Sequence, residues 1–301
     1  MHTQLRRRVS LSNRFRASGW PRCRRLVTFH DQRDFDWDEH AATCSGSRGG
    51  AIVAADVSAS SQARTWERHH LAHAAAPVPF FRERRYLLHQ FPVLSTPGLR
   101  LLESGCGNGS SVVPVLRSNG SATAHATDVS GTAVELTRRM ADRLGVGERL
   151  TTALANADDP ASEADNELFD TALLIFTASA VPAAGDLALL RGLAAALRPG
   201  GTVCFRDYGL WDLRHCNDLL ASGAPGGLEG GQECVRLSES SFLRAGGAFR
   251  RYYSLADVSD LASAAGLLVS ESRYCCVRLR NQKRGLTMDR VYVHAVLIKP
   301  V

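Results

Sequence analysis

The sequence predicts an α/β fold built on an open, doubly wound and mostly parallel sheet. Three observations predict it. Short apolar runs alternate with helical patterns of 10 to 15 residues from Leu99 onward, the texture of parallel strands joined by crossover helices. A glycine-rich turn, Gly105, Gly107 and Gly109, stands where the first run meets the first helix. Asp128 closes the second run, 19 residues after Gly109, where such sheets hold the ribose of a nucleotide.

The elements follow in order. Residues 31–63 mix acids, Gly, Ser and Ala without a sustained period and read as a linker. A helical patch begins at Trp66 and is interrupted at Pro77 and Pro79; apolar residues resume helical spacing over 80–88. After the turn at Pro97 and Gly98, 99–103 reads as a strand, 110–118 as a helix with Pro114 inside it, and the next strand reaches Asp128. A helix over 130–144, strands over 149–155 and 169–176, a helix over 185–197 and a strand over 202–206 complete the alternation. Residues 222–231 are Gly-rich and read as a loop, before a helix over 256–265 and strands near 267–278 and 290–298.

Charge divides the chain. Thirty-six basic and 30 acidic residues give a net +6 and a pI near 9.0, but residues 1–30 carry eight arginines and no acid. The remainder is nearly neutral. An Arg-rich, acid-free leader containing Ser and Thr has the composition of a mitochondrial transit peptide. A cytoplasmic protein with a disordered basic arm, or a mistaken upstream start codon, has the same texture. No apolar core follows the first charges as in a secretory signal, and no stretch approaches the 18 apolar residues of a membrane span. Eight cysteines form no C-x-x-C pair and have no His at zinc spacing, so neither a disulfide framework nor a metal site is expected.

The glycine turn carries the first chemistry. Glycines there let the backbone turn sharply and approach a ligand beside the positive end of a helix. Dinucleotide sites prefer G-x-G-x-x-G. Residues 103–109 read E-x-G-x-G-x-G instead, which resembles the turn of S-adenosylmethionine enzymes. Glu103 lies under that turn, where a methionine moiety's ammonium would sit, and Asp128 can take both ribose hydroxyls. The turn at Leu197-Arg198-Pro199-Gly200-Gly201 and the strand ending at Phe176 are similar to segments of class I methyltransferases, which are Rossmann-like with a seven-stranded sheet.

A more specific resemblance lies between these elements. F-F-R-E-R at 80–84, L-I-F followed by S-A-V at 174–181, F-R-D-Y-G at 205–209 and L-T-M-D-R-V at 286–291 occur in this order. Together they resemble the methyltransferase-like family that makes N3-methylcytidine in tRNA. The resemblance spans about residues 64–300. It implies a small helical N-terminal extension, an RNA-contacting segment over 64–97, ahead of a methyltransferase domain over 98–301. The implied substrate is a cytidine of the tRNA anticodon loop, and the implied cofactor is S-adenosylmethionine. Some members of the family work with an aminoacyl-tRNA synthetase, a further candidate partner beside tRNA.

Carried over by motif, Glu103, Gly105, Gly107 and Asp128 would hold the cofactor with Trp66 covering it. Ile175 ends the strand that faces the methyl donor, and His70 and Asn156 stand where the family has other cofactor-contacting residues, Asn156 able to accept a hydrogen bond through its side-chain oxygen. Arg206, Asp207 and Tyr208 would stand beside the target base and Phe81, Arg82 and Arg84 would meet RNA, while Lys283 and Arg290 belong to a basic cluster near the C-terminal strands that can bind phosphates. Four departures accompany the match. Arg82-Glu83 replaces the family's Lys-Asp, and His70 stands where an aromatic residue is usual. Leu154, Ala155 and Asn156 occupy the stretch of an expected acid, and Asp128-Val129-Ser130-Gly131 replaces D-F-S-P.

Cytosine N3 has an in-plane lone pair at neutral pH, so alignment rather than a strong base should supply the acceleration. Asp207 is the candidate to meet positive charge growing on the base, Arg206 to bind phosphate or the base carbonyl, and Tyr208 or Phe81 to stack on it. Arg206 and Asp207 could instead pair and brace the loop. Two rival functions share the fold: a methyltransferase for a small molecule or protein, and a non-enzymatic RNA-binding or ribosome-assembly protein with a decayed pocket.

Overall fold

The computed structural model describes residues 34–301, apart from 47–48, 75–81, 157–158, 162–163, 165–167, 183–184, 224–233 and 282–284. The basic leader, most of the Gly-rich stretch, Phe81 and Lys283 lie outside the described residues. In chain order the elements are α1 (Trp37–Cys44), α2 (Ala59–Ala74), α3 (Leu87–Gln90), β1 (Arg100–Ser104), α4 (Val112–Ser118), β2 (Thr123–Asp128), α5 (Gly131–Arg143) and β3 (Leu150–Leu154). There follow β4 (Phe169–Ile175), α6 (Gly185–Ala196), β5 (Leu197–Tyr208), α7 (Leu213–Ser222), β6 (Cys234–Arg236), β7 (Ser241–Arg244), β8 (Phe249–Arg251), α8 (Leu255–Ala264), β9 (Leu268–Asn281) and β10 (Leu286–Ile298).

Seven strands form one sheet in the order β3-β2-β1-β4-β5-β10-β9. The first five are parallel; β10 runs antiparallel to both β5 and β9. The doubly wound, mostly parallel sheet expected from the alternation is therefore present, with each strand within a few residues of its sequence limits. Successive side chains of the central strands point to opposite faces. Leu101, Leu173, Ile175 and Cys204 pack against α3 and α4, whereas Leu102, Leu174, Val203 and Phe205 pack against α6 and α8. Strands covered on both faces explain the near-continuous apolar runs. Pro114 sits in the first turn of α4, where a missing N–H costs nothing.

The N-terminal part corrects the linker reading of 31–63. Helix α1 is capped by Asp36, whose Oδ1 accepts from Glu39 N at 3.0 Å, and Trp37 stacks on Tyr274 with ring centroids 4.3 Å apart. Helix α2 begins at Ala59, seven residues before Trp66. The helical reading of 80–88 also shrinks: among the described residues, 82–86 are irregular and only α3 is helical. Arg84 N donates to Ser110 O at 2.7 Å, so the loop backbone is held by the glycine-turn region instead of by its own helix. Helix α7 and the small antiparallel sheet β6-β7-β8 have no counterpart in the sequence reading.

Candidate active site

The site lies at the carboxyl ends of β1, β2, β4 and β5, where strand order reverses between β1 and β4. Gly105, Gly107 and Gly109 have φ of 76°, 57° and 78°, left-handed values that glycine adopts without cost. Gly105 N and Cys106 N donate to Thr127 O at 2.8 and 2.9 Å, tying the turn to β2. Asp128 then receives it: Gly107 N donates to Oδ2 at 2.9 Å and Ser130 N to Oδ1 at 3.0 Å. The ionised carboxylate is acceptor-only, and its two oxygens are the acceptor pair that two neighbouring ribose hydroxyls require. Burial pushes the Asp128 carboxyl up to about 6 against the opposing backbone hydrogen bonds.

Glu103 lies beneath the turn, 1% exposed, and accepts from Val112 N at 3.0 Å. Burial raises its carboxyl to about 7, opposed by a hydrogen bond from Ser111 and by the charge of Arg84. Arg84 Nη1 donates to Ser111 Oγ at 2.8 Å. The arginine expected to meet RNA is therefore half-buried and turned inward, its guanidinium also 5.1 Å from the centre of the Phe176 ring. That is a correction to the surface role implied for Arg84; Arg82 remains exposed.

Helix α2 joins the pocket from outside the sheet. Glu67 accepts from Ser130 Oγ at 2.6 Å and from Thr132 N at 3.2 Å, with Thr132 Oγ1 a third donor. Trp66 and His70 accompany it, ring centroids 6.1 Å apart. The Trp66 indole N–H is buried and has no acceptor among the described residues. Burial lowers the His70 imidazole to about 4, so it is neutral at pH 7. Ile175 is buried at the end of β4. Asn156 is exposed just beyond β3, next to Ala155, whose N–H donates to Asp128 O. Trp66, His70, Glu103, Gly105, Gly107, Asp128, Asn156 and Ile175 thus belong to one end of the sheet and the helix docked on it.

Beside the pocket is an aromatic recess. Phe176, at a left-handed φ of 58°, has its ring 5.0 Å from that of Tyr208 and 5.5 Å from that of Tyr292. A non-glycine residue there is strained, and such strain gathers at functional sites. Arg214, Arg250 and Arg290 lie 5.8, 5.3 and 5.8 Å from the Tyr208 ring centre. Arg290 is anchored by Asp212, to whose Oδ2 its Nε donates at 2.7 Å. Pocket and recess meet at Thr177: a Cβ placed on Gly105 would stand within 2.9 Å of three of its side-chain atoms.

The F-R-D-Y-G motif separates across the sheet. Arg206 and Tyr208 share one face with Tyr292, while Asp207 points to the other. Arg206 is 2% exposed, donates to Gln90 Oε1 and lies over the rings of Tyr86 and Tyr292. Asp207 is fully buried; Oδ2 accepts from Ser179 N and Oδ1 from Tyr208 N, both at 2.8 Å. Burial raises its carboxyl to about 6. The alternative brace is not formed, since Arg206 and Asp207 do not pair among the described residues, and the expectation that Asp207 meets the base is corrected, because it is buried and its oxygens hold the backbone of Ser179 and Tyr208. Arg214, Arg250, Tyr292 and Glu67 were not singled out in the sequence, and Phe176 stood there only as the end of the L-I-F motif. Only Glu67 had a usable signal, an acid adjoining Trp66.

Comparison with known proteins bears on this arrangement. Residues 101–201 match a family model described as a methyltransferase domain. The chain is 30% identical over 206 residues to O-methyltransferase 3 of Dictyostelium discoideum, covering 67% of this chain and 44% of that protein. It is 27% identical over 229 residues to the Homo sapiens tRNA N(3)-cytidine methyltransferase METTL6, covering 73% and 75%. With the Schizosaccharomyces pombe tRNA N(3)-methylcytidine methyltransferase trm141 it shares 27% over 225 residues, covering 72% and 85%. The chain thus spans less than half of the Dictyostelium protein and about three quarters or more of the two tRNA enzymes. A solved SAM-dependent methyltransferase from Anabaena variabilis has the same fold, with a TM-score of 0.60 at 16% identity over 84% of this chain and 99% of that one.

Proposed function

We propose that this chain, which belongs to the class I S-adenosylmethionine-dependent methyltransferases, transfers a methyl group to N3 of a cytidine in the anticodon loop of tRNA. The observation that carries the reading is the arginine-rimmed aromatic recess adjoining the glycine turn, in a chain similar to two tRNA N3-cytidine enzymes over most of their length.

The pocket fits the cofactor. When bound, S-adenosylmethionine supplies a methyl group on a cationic sulfur. Asp128 would hold the ribose hydroxyls, Glu103 the ammonium end, and Trp66 and His70 would cover the site from α2. Arg84 and Ser111 orient Glu103 from behind. N3 of cytosine is neutral and nucleophilic, so this chain's task is to align it and exclude water. The base must leave any stack or pair to present N3. Phe176 and Tyr208 offer it aromatic faces, while Arg214, Arg250 and Arg290 suit flanking phosphates. One positive charge passes from sulfur to the base in the reaction, and the ring faces favour it on arrival. Asp207 acts at one remove, holding Ser179 and Tyr208.

The test is to incubate purified protein with tRNA and methyl-labelled donor, then digest the RNA and identify the labelled nucleoside. N3-methylcytidine is the expected product. Label on a hydroxyl would favour the second reading, an O-methyltransferase, which the 30% identity to the Dictyostelium protein supports.

Cofactor binding should depend on pH. Glu103 titrates near 7 in the free protein, and a bound ammonium favours its ionised form, so binding at pH 6.5 releases a proton. Affinity for S-adenosylhomocysteine should fall about tenfold between pH 8 and pH 6. Calorimetry in buffers of different ionisation enthalpy measures both effects, and a flat profile would refute the assignment of Glu103.

A further inference from the structure

Two sets of side-chain hydrogen bonds help to dock helix α2. Near its start, the Gln62 side chain is 5% exposed and spends both ends of its amide on the β7–β8 hairpin. Its Nε2 donates to Gly247 O at 2.8 Å and its Oε1 accepts from Phe249 N at 2.9 Å. Five residues on, Glu67 receives three hydrogen bonds from Ser130 and Thr132 at the start of α5. These bonds are charge-assisted and lower the Glu67 carboxyl from its ordinary value, the Ser130 hydroxyl most of all.

Ser130 links that contact to the pocket. Its hydroxyl donates to Glu67 Oε2 while its own N–H donates to Asp128 Oδ1. The same hydroxyl accepts from Ala133 N as the cap of α5. One serine is therefore held on one side by α2 and on the other steers the carboxylate aimed at the ribose. Without Glu67, the Ser130 hydroxyl loses its acceptor and α2 loses its hydrogen bonds to the start of α5, while its Gln62 anchor to the hairpin stays. Trp66, the neighbour of Glu67 in sequence, would no longer be held over the site.

We propose that Glu67 is a positioning residue for the cofactor pocket, setting the Asp128 carboxylate through Ser130 and holding α2 closed over it. The proposal rests on the reading of the pocket as an S-adenosylmethionine site. It places the coupling between the N-terminal segment and the methyl-donor site in one carboxylate.

The experiment is calorimetric titration of the full chain with S-adenosylhomocysteine, paired with hydrogen exchange over residues 59–74. Glu67→Ala should weaken binding about tenfold, since a lost charge-assisted contact leaves its partners to reorganise. Exchange in α2 should accelerate, while the core strands stay protected. With RNA saturating and the donor varied, KM for the donor should rise more than kcat falls. If Glu67 acts mainly through Ser130, the Glu67→Ala, Ser130→Ala double variant binds at most about twofold more weakly than Ser130→Ala alone, the part carried by Thr132, a non-additivity that a general loss of stability does not produce. Thr132→Val, which removes one donor and leaves the Ser130 bond, should weaken binding only about twofold and serves if Glu67→Ala does not fold. Unchanged affinity in folded Glu67→Ala, or additive effects in the double variant, would overturn the proposal. Absence of binding by the wild-type chain would instead sink the cofactor reading on which it rests.

Discussion

Gly105→Ala is expected to lower the melting temperature by about 6–12 °C and to abolish measurable S-adenosylhomocysteine binding. Gly105 has a φ of 76°, where an L side chain costs roughly 1–2 kcal/mol. The added Cβ would also stand within 2.9 Å of three Thr177 side-chain atoms. Thr177 is β-branched and stiff at χ1, and it follows the strained Phe176, so it has little room to retreat. Overpacking adds about 1–3 kcal/mol. Relief would come from moving the turn, which carries the Gly107 N–H away from Asp128 Oδ2. The comparison is Gly120→Ala, where a Cβ meets nothing within 4 Å and φ lies outside the left-handed region. Scanning fluorimetry and calorimetry on both variants measure the difference, and Gly105→Ala binding like wild type would show that the turn does not shape the pocket.

Asp207→Ala should destabilise the fold by about 2–4 kcal/mol, because it strips the acceptor from the buried N–H of Ser179 and the half-buried N–H of Tyr208. Asp207→Asn keeps an acceptor for one of them and faces an amide toward the other, so about half that loss is expected. Activity per folded molecule should fall through misplacement of Tyr208, while S-adenosylhomocysteine affinity stays within about threefold of wild type. Denaturant unfolding followed beside the tRNA assay separates the two effects. An Asp207→Ala variant as stable as wild type yet inactive would restore the carboxylate to the reacting base.

Much of the sheet was legible because parallel strands buried on both faces are written as short apolar runs between helical periods. The turn from Glu103 to Gly109 and the acid at Asp128 were legible for the same local reason: each is a residue type at a spacing that backbone geometry demands. The small sheet β6-β7-β8 was not. Its strands are three or four residues long and include Arg236, Arg244, Arg250 and Arg251, so no alternation rises above the loops. Helix α1 was hidden by its polarity; its docking relies on the stacking of Trp37 on Tyr274, distant in sequence.

By itself the sequence determined the short apolar runs that become the strands, the glycine turn, the two carboxylates beneath and beside it, and the motifs that carry the family resemblance. Only the tertiary structure decided where the polar side chains point. Arg84 turns inward to Ser111, Arg206 goes under Tyr292 to Gln90, Asp207 closes on Ser179 across the sheet, and Glu67 reaches Ser130 from 63 residues away. Periodicity and turn chemistry are local and are readable along the chain. The direction of a buried charge is settled by whichever distant donor or acceptor lowers its desolvation cost, and that partner exists only once the chain has folded.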